Sequence, residues 1–245
     1  MRKLSISLTC CNRPDYLSQV LDALANADKT NIDARLNISI DKADPQVIEI
    51  AKSFKGLSID NLIVHDPKLG CNQNTLYAIK LASSTDHSPY ILHLEDDTVP
   101  TKDCLQFFMY AFHKYEADDT VLSIGGYNKT EDLDDDLIYS TFSEAFFSAW
   151  GCGFWKHKLD KIYQAWTTSN TNNGMSWDSY LSEYFFERQN HLQLRPQISR
   201  IQNIGAEKGT WVADPMWHYY NHRSPFLSND YSGTIDWVKY AENNS

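Results

Sequence analysis

A short apolar run, Tyr90-Ile91-Leu92-His93-Leu94, begins after Pro89 and ends in three consecutive carboxylates, Glu95, Asp96 and Asp97. Its length and boundary residues predict a buried β-strand. Val99-Pro100 is expected to stop that strand, and a helix is expected over 101–113. Acidic groups at the carboxyl end of a central strand stand where open α/β sheets bind ligands. Three adjacent anions repel one another until a cation or a proton joins them. A hard divalent ion such as Mn²⁺ or Mg²⁺ takes oxygen ligands and brings phosphates with it. The alternative is a solvated acidic turn, or a helix start where carboxylates favour the dipole.

The residues before this stretch alternate strand and helix patterns. Residues 4–10 alternate as a strand, and Cys11-Asn12-Arg13-Pro14-Asp15 forms a turn. Residues 16–25 then carry Leu17, Val20, Leu21 and Leu24 at helical spacing. A second strand, 36–40, ends in Asp41, ahead of a helix over 45–54. A third, 62–65, leads through a polar loop into a helix over 75–82. Strand, polar turn and helix in this order make a nucleotide-binding α/β layer. Arg13 could reach a phosphate or a base, or pair with Asp15. Asp41 could accept from a ribose or a base edge, or cap the following helix. Asn74 could lie beside a nucleotide or cap its own helix.

The second half is more mixed. A strand is predicted over 121–125, and 130–136 carries five acids that read as an exposed loop. Residues 146–155 are aromatic and glycine-punctuated, which suits a sugar face or a strand and turn under the sheet. Helices are predicted over 159–166 and 177–186, with Asp178 at the start of the second. It is a candidate general base or a cap residue. Residues 195–200 read as a strand leading to a glycine-bounded loop that could fold over a ligand. His218 and His222 in the tail could ligate a metal or be exposed. With no repeat or low-complexity linker, the chain is read as one domain over 1–245, whose halves meet near residue 100.

Net charge is −10, which argues against nucleic acid or an anionic membrane as primary partner. Five cysteines with no CxxC spacing fit reduced thiols in a cytosol. No signal peptide or membrane-spanning run is read, so a cytoplasmic protein is expected.

Four stretches carry a resemblance: 7–14 (Ser-Leu-Thr-Cys-Cys-Asn-Arg-Pro), 92–97 (Leu-His-Leu-Glu-Asp-Asp), 176–180 (Ser-Trp-Asp-Ser-Tyr), and 195–200 (Arg-Pro-Gln-Ile-Ser-Arg) with Gly205 and Lys208-Gly209. In order and spacing the chain resembles the glycosyltransferase A fold, a Rossmann-like α/β fold with a mixed central sheet flanked by helices. Within that fold it resembles the inverting β-1,2-N-acetylglucosaminyltransferase I family and its protein O-mannose relative. Asn12 stands where that family has an acid, and Ser179 where it has a second aspartate.

The resemblance implies roles. Asp97 would be the direct Mn²⁺ ligand, with Glu95 and Asp96 holding the donor sugar and ribose. Cys11, Arg13 and Asp41 would line the uridine, and Asn74 would stand near the base or phosphate. Asp178 would deprotonate the acceptor, and Ser199 with the loop to 209 would close over the donor. The donor would be a UDP-sugar, led by UDP-N-acetylglucosamine, and the acceptor a glycan hydroxyl. Peripheral membrane contact would follow only from a lipid-linked acceptor. Two other readings remain: a silent carbohydrate-binding protein of the same fold, and a sugar nucleotidyltransferase. The second would need a glycine-rich first loop, which 11–14 lacks.

Overall fold

The computed structural model describes residues 1–42, 44–129, 137–168, 175–208, 214 and 216. The acidic stretch 130–136, most of the 167–173 loop, Gly209, His218 and His222 lie outside the described residues.

The first half builds as its pattern predicts, with longer elements. Strands β1 (Arg2–Cys10), β2 (Ile32–Ile40), β3 (Ser58–Val64) and β4 (Tyr90–Glu95) alternate with helices α1 (Pro14–Asn26), α2 (Pro45–Ser53) and α3 (Cys71–Ser84). Proline at the first position starts α1 and α2, and Asp44 caps α2 by accepting from the Gln46 and Val47 amides. Helix α1 buries Leu17, Val20, Leu21 and Leu24 against the sheet, each worth roughly 1.5–3 kcal/mol of transfer free energy. The four strands are parallel in the order β3-β2-β1-β4.

Beyond β4 the sheet continues through both halves of the chain. Strands β6 (Val121–Gly125), β7 (Thr141–Glu144), β8 (Cys152–Trp155) and β9 (Leu192–Pro196) extend the order to β3-β2-β1-β4-β8-β6-β9-β7. Strand β8 runs antiparallel between β4 and β6, and β7 runs antiparallel to β9. The aromatic stretch therefore places Cys152–Trp155 inside the sheet. Gly153 is required there, because a Cβ would meet Phe108 and Phe112 of α4 (Cys104–Lys114) at 2.8–2.9 Å. Pro100 does not close β4. A separate short strand, β5 (Thr98–Pro100), pairs antiparallel with β10 (Ile201–Asn203). At this two-stranded edge Pro100 ends β5, a position where its missing N–H is tolerated.

The two faces of β1 differ in chemistry. Leu4, Ile6 and Leu8 enter one apolar core with α1, α2 and α4. Ser5, Ser7 and Thr9 are buried on the other face, beneath α3. Ala78 and Ala82 of α3 are buried as well, and Ser5 Oγ lies 3.4 Å from Thr85 Oγ1 just past the end of that helix. A second apolar core gathers Ile79 and Ala82 of α3, Phe154 of β8, Ile162 and Trp166 of α5 (Leu159–Thr168), and Trp177. Trp177 opens α6 (Trp177–Tyr180), which runs on as a π-helical segment, Leu181–Glu187.

Candidate active site

Strand order turns back on itself between β1 and β4, and the cleft lies at the carboxyl ends of the strands there, as open α/β sheets require. It is a cavity of about 620 Å³, in the range of small-molecule sites. Its walls include Cys11 and Arg13 after β1, Asp41 after β2, Asn74 of α3, Glu95, Asp96 and Asp97 after β4, and Asp178 of α6. Eight of the nine expected site residues thus meet in one place.

The repulsion within the carboxylate triplet is relieved in two ways. Arg13 donates through one guanidinium nitrogen to Asp97 at 2.5 Å and through the other to Asp96. Its own pKa rises, because these anions outweigh its desolvation. Burial nonetheless pushes the Asp96 carboxyl up to about 6, against the pull of Arg13 and aided by the charge of Asp97. Glu95 is raised well above the usual carboxylate range by burial, then by the charges of Asp97 and Asp178.

Asp97 also ties the cleft to the loop after β10. Its carbonyl accepts from the Ile204 amide at 2.8 Å. Gly205 packs so close that a Cβ would meet Asp97 Oδ2 at 2.5 Å. The other carboxylate oxygen of Asp97, Oδ1, is buried and accepts no hydrogen bond. Among the described residues no group of three or more His, Cys, Asp or Glu side chains is arranged to hold a metal ion by itself. Small divalent ions are commonly held by one or two carboxylates, with phosphate oxygens and water completing the shell. An unpartnered carboxylate oxygen on a residue of the cleft wall fits that pattern.

Other expected residues carry structural duties as well. Asp41 is 3% exposed. It accepts from the Leu69 amide at 2.7 Å and from the Gly70 amide at 3.1 Å, which fixes the loop leading into α3. Asn74 is locked to β2, accepting from Ser39 Oγ at 2.6 Å and donating to the Ser39 carbonyl. Because Ser39 gives its only proton to Asn74, its 2.9 Å contact with His65 Nε2 has the imidazole as donor.

Ser199 stands apart. It is buried outside the cleft walls, donates to the Ile201 carbonyl at 2.6 Å and accepts from the Asn128 amide at 3.1 Å. A hydroxyl committed in this way braces the turn before β10. Its neighbour Arg200 is fully buried and bonds Asp103 and the carbonyls of Ile198 and Ile138. The loop braced by these two residues does supply Lys208 to the cleft, where it pairs with Asp15 at 3.2 Å. The wall also holds Asn12, Lys68, Cys71, Trp150 and Lys208, which sequence reading touched only as members of longer stretches and gave no individual role.

The Glycosyl transferase family 2 model matches residues 5–153, which include most of β1, Asp41 and the Glu-Asp-Asp triplet. This chain belongs to glycosyl transferase family 2. The family 2 match ends before α6, so Asp178 lies beyond it. The fold is similar to that of the mannosyltransferase PcManGT from Pyrobaculum calidifontis, solved with GDP-Man and Mn²⁺. The TM-score is 0.50 at 15% identity, over 80% of this chain and 54% of that one. Staphylococcus aureus TarS 1–349 is similar at a TM-score of 0.46 and 13% identity, over 82% of this chain and 60% of that one. Its complex with UDP-GlcNAc gives 0.45 and 14%, over 82% and 58%. The family 2 chain thus spans little more than half the length of these solved relatives. No curated protein matches it. Its fold is the glycosyltransferase A fold expected from sequence. Among the described residues no helix is long and apolar enough to cross a membrane.

Proposed function

We propose that the chain is an inverting, metal-assisted glycosyltransferase that moves a sugar from a nucleotide-diphosphate donor to a carbohydrate hydroxyl. The observation that carries this reading is the meeting of Arg13, Glu95, Asp96, Asp97 and Asp178 in one cleft at the strand ends. UDP is the leading nucleotide and N-acetylglucosamine the leading sugar, both from the resemblance to the β-1,2-N-acetylglucosaminyltransferase I family. GDP-mannose is the second candidate, because the similar mannosyltransferase was solved with it.

The residues divide the work. Cys11, Asp41 and Asn74 line the nucleoside end of the cleft. Arg13 is the mobile counter-charge, able to trade Asp96 and Asp97 for a phosphate because guanidinium pairs equally well with either anion. Glu95 and Asp96 face the sugar and ribose. Asp97 would hold a divalent ion through Oδ1, and such an ion supplies charge neutralisation for the leaving diphosphate. Asp178 accepts the acceptor hydroxyl's proton as that oxygen bonds to the anomeric carbon. The carbon–phosphate oxygen bond breaks on the opposite side, and the nucleotide leaves with the electron pair. One base and one displacement invert the anomeric centre.

The test is nucleotide release from a panel of UDP-sugars and GDP-mannose, with Mn²⁺ and again with chelator. Metal-dependent release from one donor is the expected result. Donor binding without turnover, with candidate glycans added, would instead indicate a silent binding protein.

A further inference from the structure

Asp178 sits in the first turn of a helix whose N-cap side chain does not cap it. The hydroxyl of Ser176, at the N-cap, bonds Ser179 Oγ at 2.8 Å and leaves the backbone amides alone. A helix start leaves such amides without partners inside the helix. The Trp177 amide finds its acceptor 105 residues away, donating to Asn72 Oδ1 at 3.0 Å. The other half of the same side chain, Asn72 Nδ2, donates to the Met175 carbonyl at 3.2 Å. One carboxamide therefore grips the backbone on both sides of Ser176, much as a neighbouring strand would. A single contact permits sliding or rotation, whereas two in one rigid plane fix register.

Asn72 is the second residue of α3, next to Cys71 and a turn before Thr75, both in the cleft wall. The far side of the same helix start is pinned by packing. The Trp177 indole stacks on Trp166 at 4.7 Å and meets Phe147 edge-on at 5.4 Å. Phe147 is held in turn through its amide, which donates to Ser182 Oγ in the π-helical segment.

We propose that Asn72 is a positioning residue, which sets Asp178 at a fixed place relative to the donor wall by clamping the start of α6 onto α3. The inference rests on the reading of Asp178 as the general base. Its consequence is that donor binding and proton removal are separable. Loss of the clamp leaves the nucleotide site intact and lets the base drift.

The experiment compares Asn72→Ala with Gln73→Ala, an exposed neighbour on the same helix that also loses an amide. Hydrogen exchange is followed at the Trp177 amide, UDP binding by calorimetry with Mn²⁺, and transfer by kcat and KM. In Asn72→Ala the Trp177 amide is expected to lose protection and kcat to fall about 10–100-fold, since misplacement of about 1 Å costs roughly 10²-fold. UDP affinity and donor KM stay within about twofold, and Gln73→Ala matches wild type throughout. Unchanged protection at Trp177 would overturn the proposal, as would unchanged kcat in an active protein. So would a parallel fall in UDP affinity and kcat, which marks a merely structural role. Wild-type protein that transfers nothing from any donor would instead overturn the catalytic reading, and the base role with it.

Discussion

Asp97 and Asp178 belong to different elements, and their substitution should separate binding from chemistry. Asp97→Ala removes the unpartnered Oδ1 and one partner of Arg13. Metal-dependent UDP binding should be lost, measured as the difference in affinity with and without Mn²⁺. Asp178→Asn keeps shape and polarity but cannot take a proton. UDP binding should persist while transfer falls by about 10²–10⁴-fold, the usual worth of general-base help. Full transfer by Asp178→Asn would remove it from that role. The acidic triplet was legible because three adjacent charges demand compensation wherever they are placed. That Arg13 supplies it was not, since the pairing spans more than 80 residues. Ser199 lies outside the cleft wall. Its place in a recognisable stretch suggested a ligand contact, yet which way a hydroxyl points is decided by packing around Gly126 and Ile201.

At the level of elements, the strands before residue 100 were read correctly because their apolar period and flanking turns are local signals. Their surroundings were not. The alternation of β1 does not say what covers its serines: α3 lies over them, and Ser7 bonds His93 of β4 at 3.1 Å. Strand β8 was unreadable as the sheet's central antiparallel strand, because its partner β4 lies about 60 residues earlier. One contact holding this second half is testable. The Lys158 ammonium is buried against the Trp155 ring, and it donates to the carbonyls of Tyr115, Asp118 and Val121. It ties the end of α4 and the start of β6 to the turn after β8. Lys158→Met fills the space but leaves buried carbonyls without a donor, which costs about 1–3 kcal/mol. Urea unfolding should show that loss as a lower midpoint with unchanged slope.

For the whole molecule, acid stability carries the signature of His93. This imidazole is fully buried, its Nε2 has no hydrogen-bond partner, and burial lowers its pKa to about 3. The unfolded chain, with an ordinary histidine near 6.5, binds a proton between those values that the folded chain refuses. Its contribution to stability is therefore present above about pH 6.5 and is lost as pH falls toward 3, at up to ~1.4 kcal/mol per pH unit. Glu95 and Asp96 act in the opposite sense, since raised carboxyl pKa values favour the folded state at low pH. A comparison with His93→Gln isolates the histidine, because both carboxyls remain. The variant's stability, from urea titrations between pH 4 and 7, should fall less steeply with acid than that of wild type. The two profiles would run parallel if His93 kept an ordinary pKa.

The grip of Asn72 on the start of α6 has a bearing on how such a chain can change over generations. On the proposed reading, the place of Asp178 is set from α3, through the hold of Asn72 on Met175 and Trp177. Changes in the chain before Met175 would then leave the proposed base where it was. A lineage could remodel the connection beside Asp178, and try new acceptors with it, without rebuilding that geometry each time.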